Sequence, residues 1–266
     1  FRSDDGGASI HPFGRTSAPV LPVDLAVAPG DAGRIAAIAG QRLIFTTADG
    51  GAEWSRRDPA PHMAQLHFVA FDPRNPDVIY AGGEAACGAP ALIRSDDGGR
   101  EWAGVYAAGC GEAAAVLVTG IAFHPTNPSL AYAAGTFRQP YRGVSLRSVD
   151  GGASWSAIGT IPGQRTGRLA INAQAPATLY TASTGSDVPG PPKYALVSRS
   201  SDAGLTWTPV LTYTQPGPPP GVFPSLAVDP RDGRVIYAVS DAYNRPAHVL
   251  RSSDAGATWD EVYVSP

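Results

Sequence analysis

The sequence predicts an all-β fold, a β-propeller of four-stranded antiparallel blades, and three observations predict it. A motif of the form S/T-x-D-x-G-x-x-W recurs through the whole chain at nearly regular intervals. A second, apolar motif with a turn signal at its end precedes each complete copy. Thirty-one glycines and 26 prolines in 266 residues leave no room for long helices, because proline breaks a helix interior and glycine weakens it. Repeats of about 40–50 residues with four short strands each indicate this architecture.

The first motif places aspartates at Asp5, Asp49, Asp97, Asp150, Asp202 and Asp254. Trp54, Trp102, Trp155, Trp207 and Trp259 close five copies, and Ile10 takes the tryptophan's place in the first. Successive aspartates are 44, 48, 53, 52 and 52 residues apart. A β-run such as 91–95 enters the motif and another such as 101–106 leaves it. Between them the glycines supply positive φ and the carboxylate bonds nearby backbone N–H groups. The indole then packs between adjacent sheets. These aspartates are read as structural; none has the clustered oxygen ligands of a calcium loop.

The second motif reads Leu25-Ala-Val-Ala-Pro29, Val69-Ala-Phe-Asp-Pro73, Ile121-Ala-Phe-His-Pro125, Leu169-Ala-Ile-Asn-Ala173 and Leu226-Ala-Val-Asp-Pro230. A short turn and a second strand follow each, as in Val78-Ile-Tyr-Ala81 or Val235-Ile-Tyr-Ala238. One repeat is therefore strand, turn, strand, variable loop, strand, aspartate turn, strand. Complete blades are expected at 23–57, 66–107, 118–159, 167–211 and 224–264, all in a single domain. Residues 1–20 supply only the third and fourth strands of another blade. The expectation is part of a longer propeller of six or seven blades; the alternative is a half blade that closes a six-position ring or docks on a partner.

The first motif resembles the Asp-box, or BNR, repeat of sialidases, xyloglucanases, sortilin-type receptors and photosystem assembly propellers. The resemblance covers nearly the whole chain and implies the propeller fold. It does not choose a function, because such boxes occur in enzymes and in non-enzymes.

Topology places the functional surface. The proline turns and the aspartate turns share one face. The opposite face carries the within-blade loops 40–42, 84–90, 136–143, 183–193 and 241–247, and the blade connections 55–65, 107–116, 158–168 and 213–223. Long irregular loops on a rigid scaffold are where binding resides. The binding residues expected there are Arg56, Arg57, Arg138, Tyr141, Arg142, Arg168, Tyr194, Tyr243 and Arg245. Interleaved arginine and tyrosine suit carboxylates, sugars or a protein surface.

Two functions compete. A glycoside hydrolase needs two carboxylates about 5–9.5 Å apart, and the candidates are Glu84, Glu112, Asp187 and Asp241. The resemblance to sialidases implies an arginine triad, for which Arg138, Arg142, Arg168 and Arg245 are the candidates, and a Tyr–Glu nucleophile pair. No motif fixes an acid–base pair, so the preferred reading is a non-catalytic propeller. It binds a protein or glycan partner through the variable face, or serves as a scaffold or subunit in a larger assembly. No catalytic residue is assigned.

The net charge of −3 and 16% charged residues argue against nucleic acid. No run of about 18 apolar residues exists to span a membrane. The five histidines lack metal-ligand spacing, so no metal or cofactor is expected. Cys87 and Cys110 both fall on the variable face and are expected to form a disulfide, which places the chain outside the cytoplasm, periplasmic, secreted or at the cell surface.

Overall fold

The computed structural model describes residues 3, 5, 8–9, 22–59, 63–185, 194–213, 225–240 and 247–264. Most of the half blade expected over 1–20 lies outside them, as do Tyr243, Arg245, Asp187 and Asp241.

The described residues form no helix and twenty strands, in five antiparallel runs of four. The first blade is β1 (Pro22–Ala28), β2 (Asp31–Ala39), β3 (Leu43–Thr47) and β4 (Ser55–Arg57). The second is β5 (Met63–Asp72), β6 (Asn75–Ala86), β7 (Pro90–Ser95) and β8 (Ala103–Ala107). The third is β9 (Ala115–Phe123), β10 (Ala131–Arg138), β11 (Arg142–Ser148) and β12 (Ser156–Ile161). The fourth is β13 (Arg165–Ile171), β14 (Leu179–Gly185), β15 (Tyr194–Ser200) and β16 (Thr208–Tyr213). The fifth is β17 (Ser225–Val228), β18 (Ile236–Ser240), β19 (His248–Ser252) and β20 (Asp260–Val264).

First strands pack on first strands: β1 on β5, β5 on β9, β9 on β13 and β13 on β17. They form the inner layer. Fourth strands are the outer edges, and β4 and β20 are exposed along their whole length. Second strands lie between neighbours, so β10 is buried at every position before Arg138 and β14 throughout. Their sequences are accordingly continuous runs of small and apolar residues rather than alternating ones.

The core sits between blades. Ile38, Ile44, Leu66, Phe71 and Ile79 join the first blade to the second. Tyr80, Leu92, Val116, Leu146 and Trp155 join the second to the third. Trp102, Trp207 and Trp259 pack against the corresponding clusters at other junctions. Each large side chain buried in these layers contributes roughly 1.5–3 kcal/mol.

The aspartate turns are built alike. In the third blade the Ser148 hydroxyl donates to Asp150 Oδ1 at 2.7 Å and accepts the Gly152 N–H at 2.7 Å. Asp150 also accepts the Ser154 N–H at 3.0 Å and the Ser154 hydroxyl at 2.5 Å. Trp155 Nε1 donates to the Gly152 carbonyl at 3.2 Å. Asp202 and Asp254 repeat the scheme with Thr206 and Thr258. Asp5, though its neighbours are mostly undescribed, makes the same bonds to Ser3 and Ser9. These bonds favour the ionised form. They hold Asp150, Asp202 and Asp254 at about 2, against an ordinary 3.8.

One strand leaves its blade. β6 was expected to end in a loop over 84–90, but it continues to Ala86. There it pairs with β9, Glu84 opposite Leu117 and Ala86 opposite Ala115. Just before this stretch a glycine pair lets β5 lie close against β6. A Cβ on Gly83 would meet the Gln65 carbonyl oxygen at 1.8 Å, and one on Gly82 would meet the Phe68 ring at 2.2 Å. The second and third blades thus share one eight-stranded sheet.

Candidate functional site

The β6–β9 pairing and the disulfide together build a compact unit on the variable face. Cys87 and Cys110 are bonded, with Cα atoms 4.8 Å apart. The Cys87 N–H donates to Ala114 O at 3.0 Å and the Gly88 N–H to Ala108 O at 2.8 Å, so the tip of β6 lies along segment 108–114. Glu112 Oε2 accepts the Gly109 N–H at 3.1 Å.

Beside this unit stand Glu84 and Arg138. Arg138 Nη1 lies 2.8 Å from Glu84 Oε1, joining the ends of β6 and β10. His67, at a bulge in β5, sits near both. Burial pushes the His67 imidazole below its ordinary value, with Glu84 opposing and Arg138 adding to the shift. Its Nε2 is buried without a partner among the described residues. The Tyr106 hydroxyl is likewise buried and unpartnered among them, and burial pushes it up to about 12, with Glu112 nearby adding to that and Arg142 opposing. Arg142 places its guanidinium 4.7 Å from the centre of the Phe137 ring. Tyr141, in the turn between β10 and β11, is 48% exposed.

Arg138, Tyr141 and Arg142 thus lie together at the β10–β11 turn, where Arg138 pairs with Glu84 and its carbonyl accepts the Ala114 N–H at 3.1 Å. Arg168 lies on β13, where its Nη2 donates to Asp24 Oδ1 on β1 at 2.9 Å. Tyr194 opens β15 opposite Gly185. Arg56 and Arg57, expected in a loop of the variable face, lie on β4; Arg57 instead lines a cleft beside the aspartate turns of the first two blades, on the face away from the variable loops. Tyr243 and Arg245 are outside the described residues.

Sequence reasoning did not single out Asp24, His67 or Tyr106. His67 and Asp24 sit on first strands, whose alternation marks them only as inner-layer residues. Tyr106 follows an aspartate turn and reads as a core aromatic. Among the described residues no group of three or more histidine, cysteine, aspartate or glutamate side chains is placed to hold a metal ion.

Comparison with known proteins bears on this geometry. No family model matches the chain. It is 28% identical over 176 residues to a xyloglucanase of Paenibacillus sp., covering 56% of this chain and 16% of that protein. It superposes on a glycoside hydrolase family 74 enzyme of Niastella koreensis with a TM-score of 0.67, at 20% identity. That match covers 92% of this chain and 38% of the enzyme.

The fold is a β-propeller.

A propeller of another kind is similar too. YCF48 bound to D1 peptide gives a TM-score of 0.57 at 13% identity, over 93% of this chain and 69% of that one. The chain thus spans well under half of the xyloglucanase-type proteins and more of the peptide-bound propeller. The scaffold is common to enzymes and to a peptide-bound protein, so function has to be argued from the side chains.

Proposed function

We propose that this chain is an Asp-box propeller, exported or surface-exposed, that binds a protein or glycan partner through its variable face without cleaving it. The observation that carries the reading is the state of the rim around the disulfide. Of the four candidate carboxylates, Asp187 and Asp241 lie outside the described residues, Glu84 is engaged by Arg138 and Glu112 is held by its own loop backbone. The adjoining β10–β11 turn carries Tyr141 as an exposed aromatic and Arg142 as a cation stacked on Phe137. Aromatic and arginine side chains on a rigid platform are the groups that dominate binding energy at interfaces. The disulfide stiffens that platform and suits an oxidising compartment. The peptide bound to YCF48 supports a polypeptide ligand for this scaffold.

The test is a parallel screen of the chain against peptide and glycan libraries. The reading expects a ligand from one class whose affinity drops at least about tenfold in Tyr141→Ala and in Arg142→Ala. Unchanged affinity in both variants would move the site elsewhere.

The second reading, a xyloglucanase-like glycoside hydrolase, is favoured by the 28% identity over 176 residues. It requires Glu84 to leave Arg138 and face a second carboxylate. Release of reducing ends from xyloglucan, lost in Glu84→Gln, would establish it.

A further inference from the structure

One device recurs where blades meet. Each second strand from the second blade onward carries a tyrosine paired across the sheet with an arginine: Tyr80 with Arg94, Tyr132 with Arg147, Tyr180 with Arg199 and Tyr237 with Arg251. At the junction of the second and third blades, the Tyr80 hydroxyl and Arg94 Nη1 both donate to the Gly151 carbonyl, at 2.9 and 3.2 Å. The Tyr80 ring packs against Phe123 and edge-on to Trp155, with centroids 5.5 and 6.5 Å away. At the junction of the fourth and fifth blades, Tyr180 donates to the Ala255 carbonyl at 3.1 Å.

The first blade lacks this pair. The same register positions hold Ala36 opposite Thr46. The receiving side is nevertheless intact on the second blade: Phe71 stands where Phe123 does, and Gly98 and Gly99 where Gly151 and Gly152 do. Ala36 is fully buried and the Thr46 methyl packs over Gly99; beside them opens a cleft of about 380 Å³, lined among others by Thr46, Phe71, Gly98 and Gly99. Neither Ala36 nor Thr46 donates to the Gly98 carbonyl among the described residues. The cleft mouth carries Asp49, Glu53, Asp77 and Asp97 against Arg34, Arg57 and Arg100, and Arg34 is already paired with Asp77 and Asp31.

We propose that the cleft between the first and second blades is a binding site for a tyrosine side chain of a partner polypeptide, its ring on Phe71 and its hydroxyl donating to the Gly98 carbonyl. The partner thereby supplies what Tyr80 supplies at the next junction. A basic residue beside that tyrosine meets the carboxylates at the mouth, in the place Arg94 takes. Asp49 and Asp97 remain charged there, since their turn hydrogen bonds hold both below the ordinary carboxylate range. The site faces away from the variable loops, so it stands or falls independently of the binding function proposed above.

The experiment uses the full chain and two probes, N-acetyl-tyrosinamide and N-acetyl-phenylalaninamide, followed by the backbone amide signals of Thr46, Gly98 and Gly99. The expected result is saturable shifts at those amides with the tyrosine probe at millimolar concentration. Binding of the phenylalanine probe should be at least about tenfold weaker, because a site built for a hydroxyl is left with an unpaired carbonyl. Ala36→Tyr combined with Thr46→Arg should fill the cleft from within and abolish the response. Should that double variant fail to fold, Thr46→Arg alone and the comparison of the two probes still decide. Equal shifts with both probes, or none at Gly98 and Gly99, would overturn the proposal. So would self-association abolished by the filled cleft with no response to the tyrosine probe, which would make the occupant a second copy of this chain.

Discussion

Arg168 on the fourth blade donates a 2.9 Å hydrogen bond to Asp24 on the first, 144 residues earlier. The other oxygen of Asp24 accepts the Val69 N–H of the second blade at 3.0 Å. Because the inner strands pack in sequence order, this bond joins two first strands, β13 and β1, that are not neighbours in that order. One carboxylate therefore ties three blades together. The two partners are unequal: the Asp24 side chain is 13% exposed and that of Arg168 is 59% exposed.

That inequality sets the first prediction. Asp24→Ala strands a backbone N–H and should lower unfolding free energy by about 1–3 kcal/mol. Arg168→Ala removes only a solvent-screened ion pair and should cost no more than about 1 kcal/mol. Urea unfolding of both variants checks the order, and a larger loss in the arginine variant would contradict it.

The tyrosine junction gives the second. Tyr80→Phe removes the hydroxyl from the Gly151 carbonyl and should cost about 1 kcal/mol. Gly152→Ala should cost more, since its φ is +85° and the added Cβ would lie 2.0 Å from the Tyr80 hydroxyl. In the double variant the clash is partly relieved, so the combined loss should fall short of additivity. Strict additivity in thermal or urea unfolding would show that the hydroxyl and the glycine do not meet.

The turn aspartates predict a direction with pH. Their folded values lie below the unfolded 3.8, at about 2 for Asp150, Asp202 and Asp254. The folded state then binds fewer protons than the unfolded one in that interval. The stability they contribute is complete above about pH 4 and is lost as pH falls towards 2. Ser154→Ala removes the largest cause of the Asp150 shift, so the carboxyl signal of that residue should titrate at higher pH in an NMR titration. An unmoved titration would break the link between the turn and its charge.

The disulfide predicts a loss on reduction. It closes a segment with a sequence separation of 23 residues, and releasing a loop of that size costs about 3 kcal/mol in the chain-entropy model. Cys87→Ser with Cys110→Ser should be destabilised by up to that amount while keeping its strand content. An unchanged unfolding midpoint would mean that the β6–β9 pairing alone fixes the unit.

How much of this was written in the sequence differs from feature to feature. The blade pattern was legible because each aspartate turn needs the same few atoms: a hydroxyl, a carboxylate and a glycine at fixed spacing. The disulfide was legible because topology put both cysteines on one face. The course of β6 was not. Nothing in the local sequence announces the pairing with β9, and only the contacts with Gln65 and Phe68 reveal that Gly82 and Gly83 let β5 lie close against β6. The bond between Arg168 and Asp24 was illegible for another reason. Arg168 was singled out as a loop-face arginine, but nothing local names a partner 144 residues away. The cleft of the first blade lay in plain sight as Ala36 among tyrosines, yet its meaning depends on which carbonyl that tyrosine would reach.

The central claim is that the rim around Cys87–Cys110 binds a ligand without cleaving it. The most direct measurement is hydrogen–deuterium exchange of the intact chain with a ligand from the peptide and glycan screen, with the ligand recovered afterwards. The account predicts protection in segments 84–90, 108–116 and 138–143, with the ligand recovered unchanged. Hydrolysed xyloglucan, or protection confined to other segments, would contradict it.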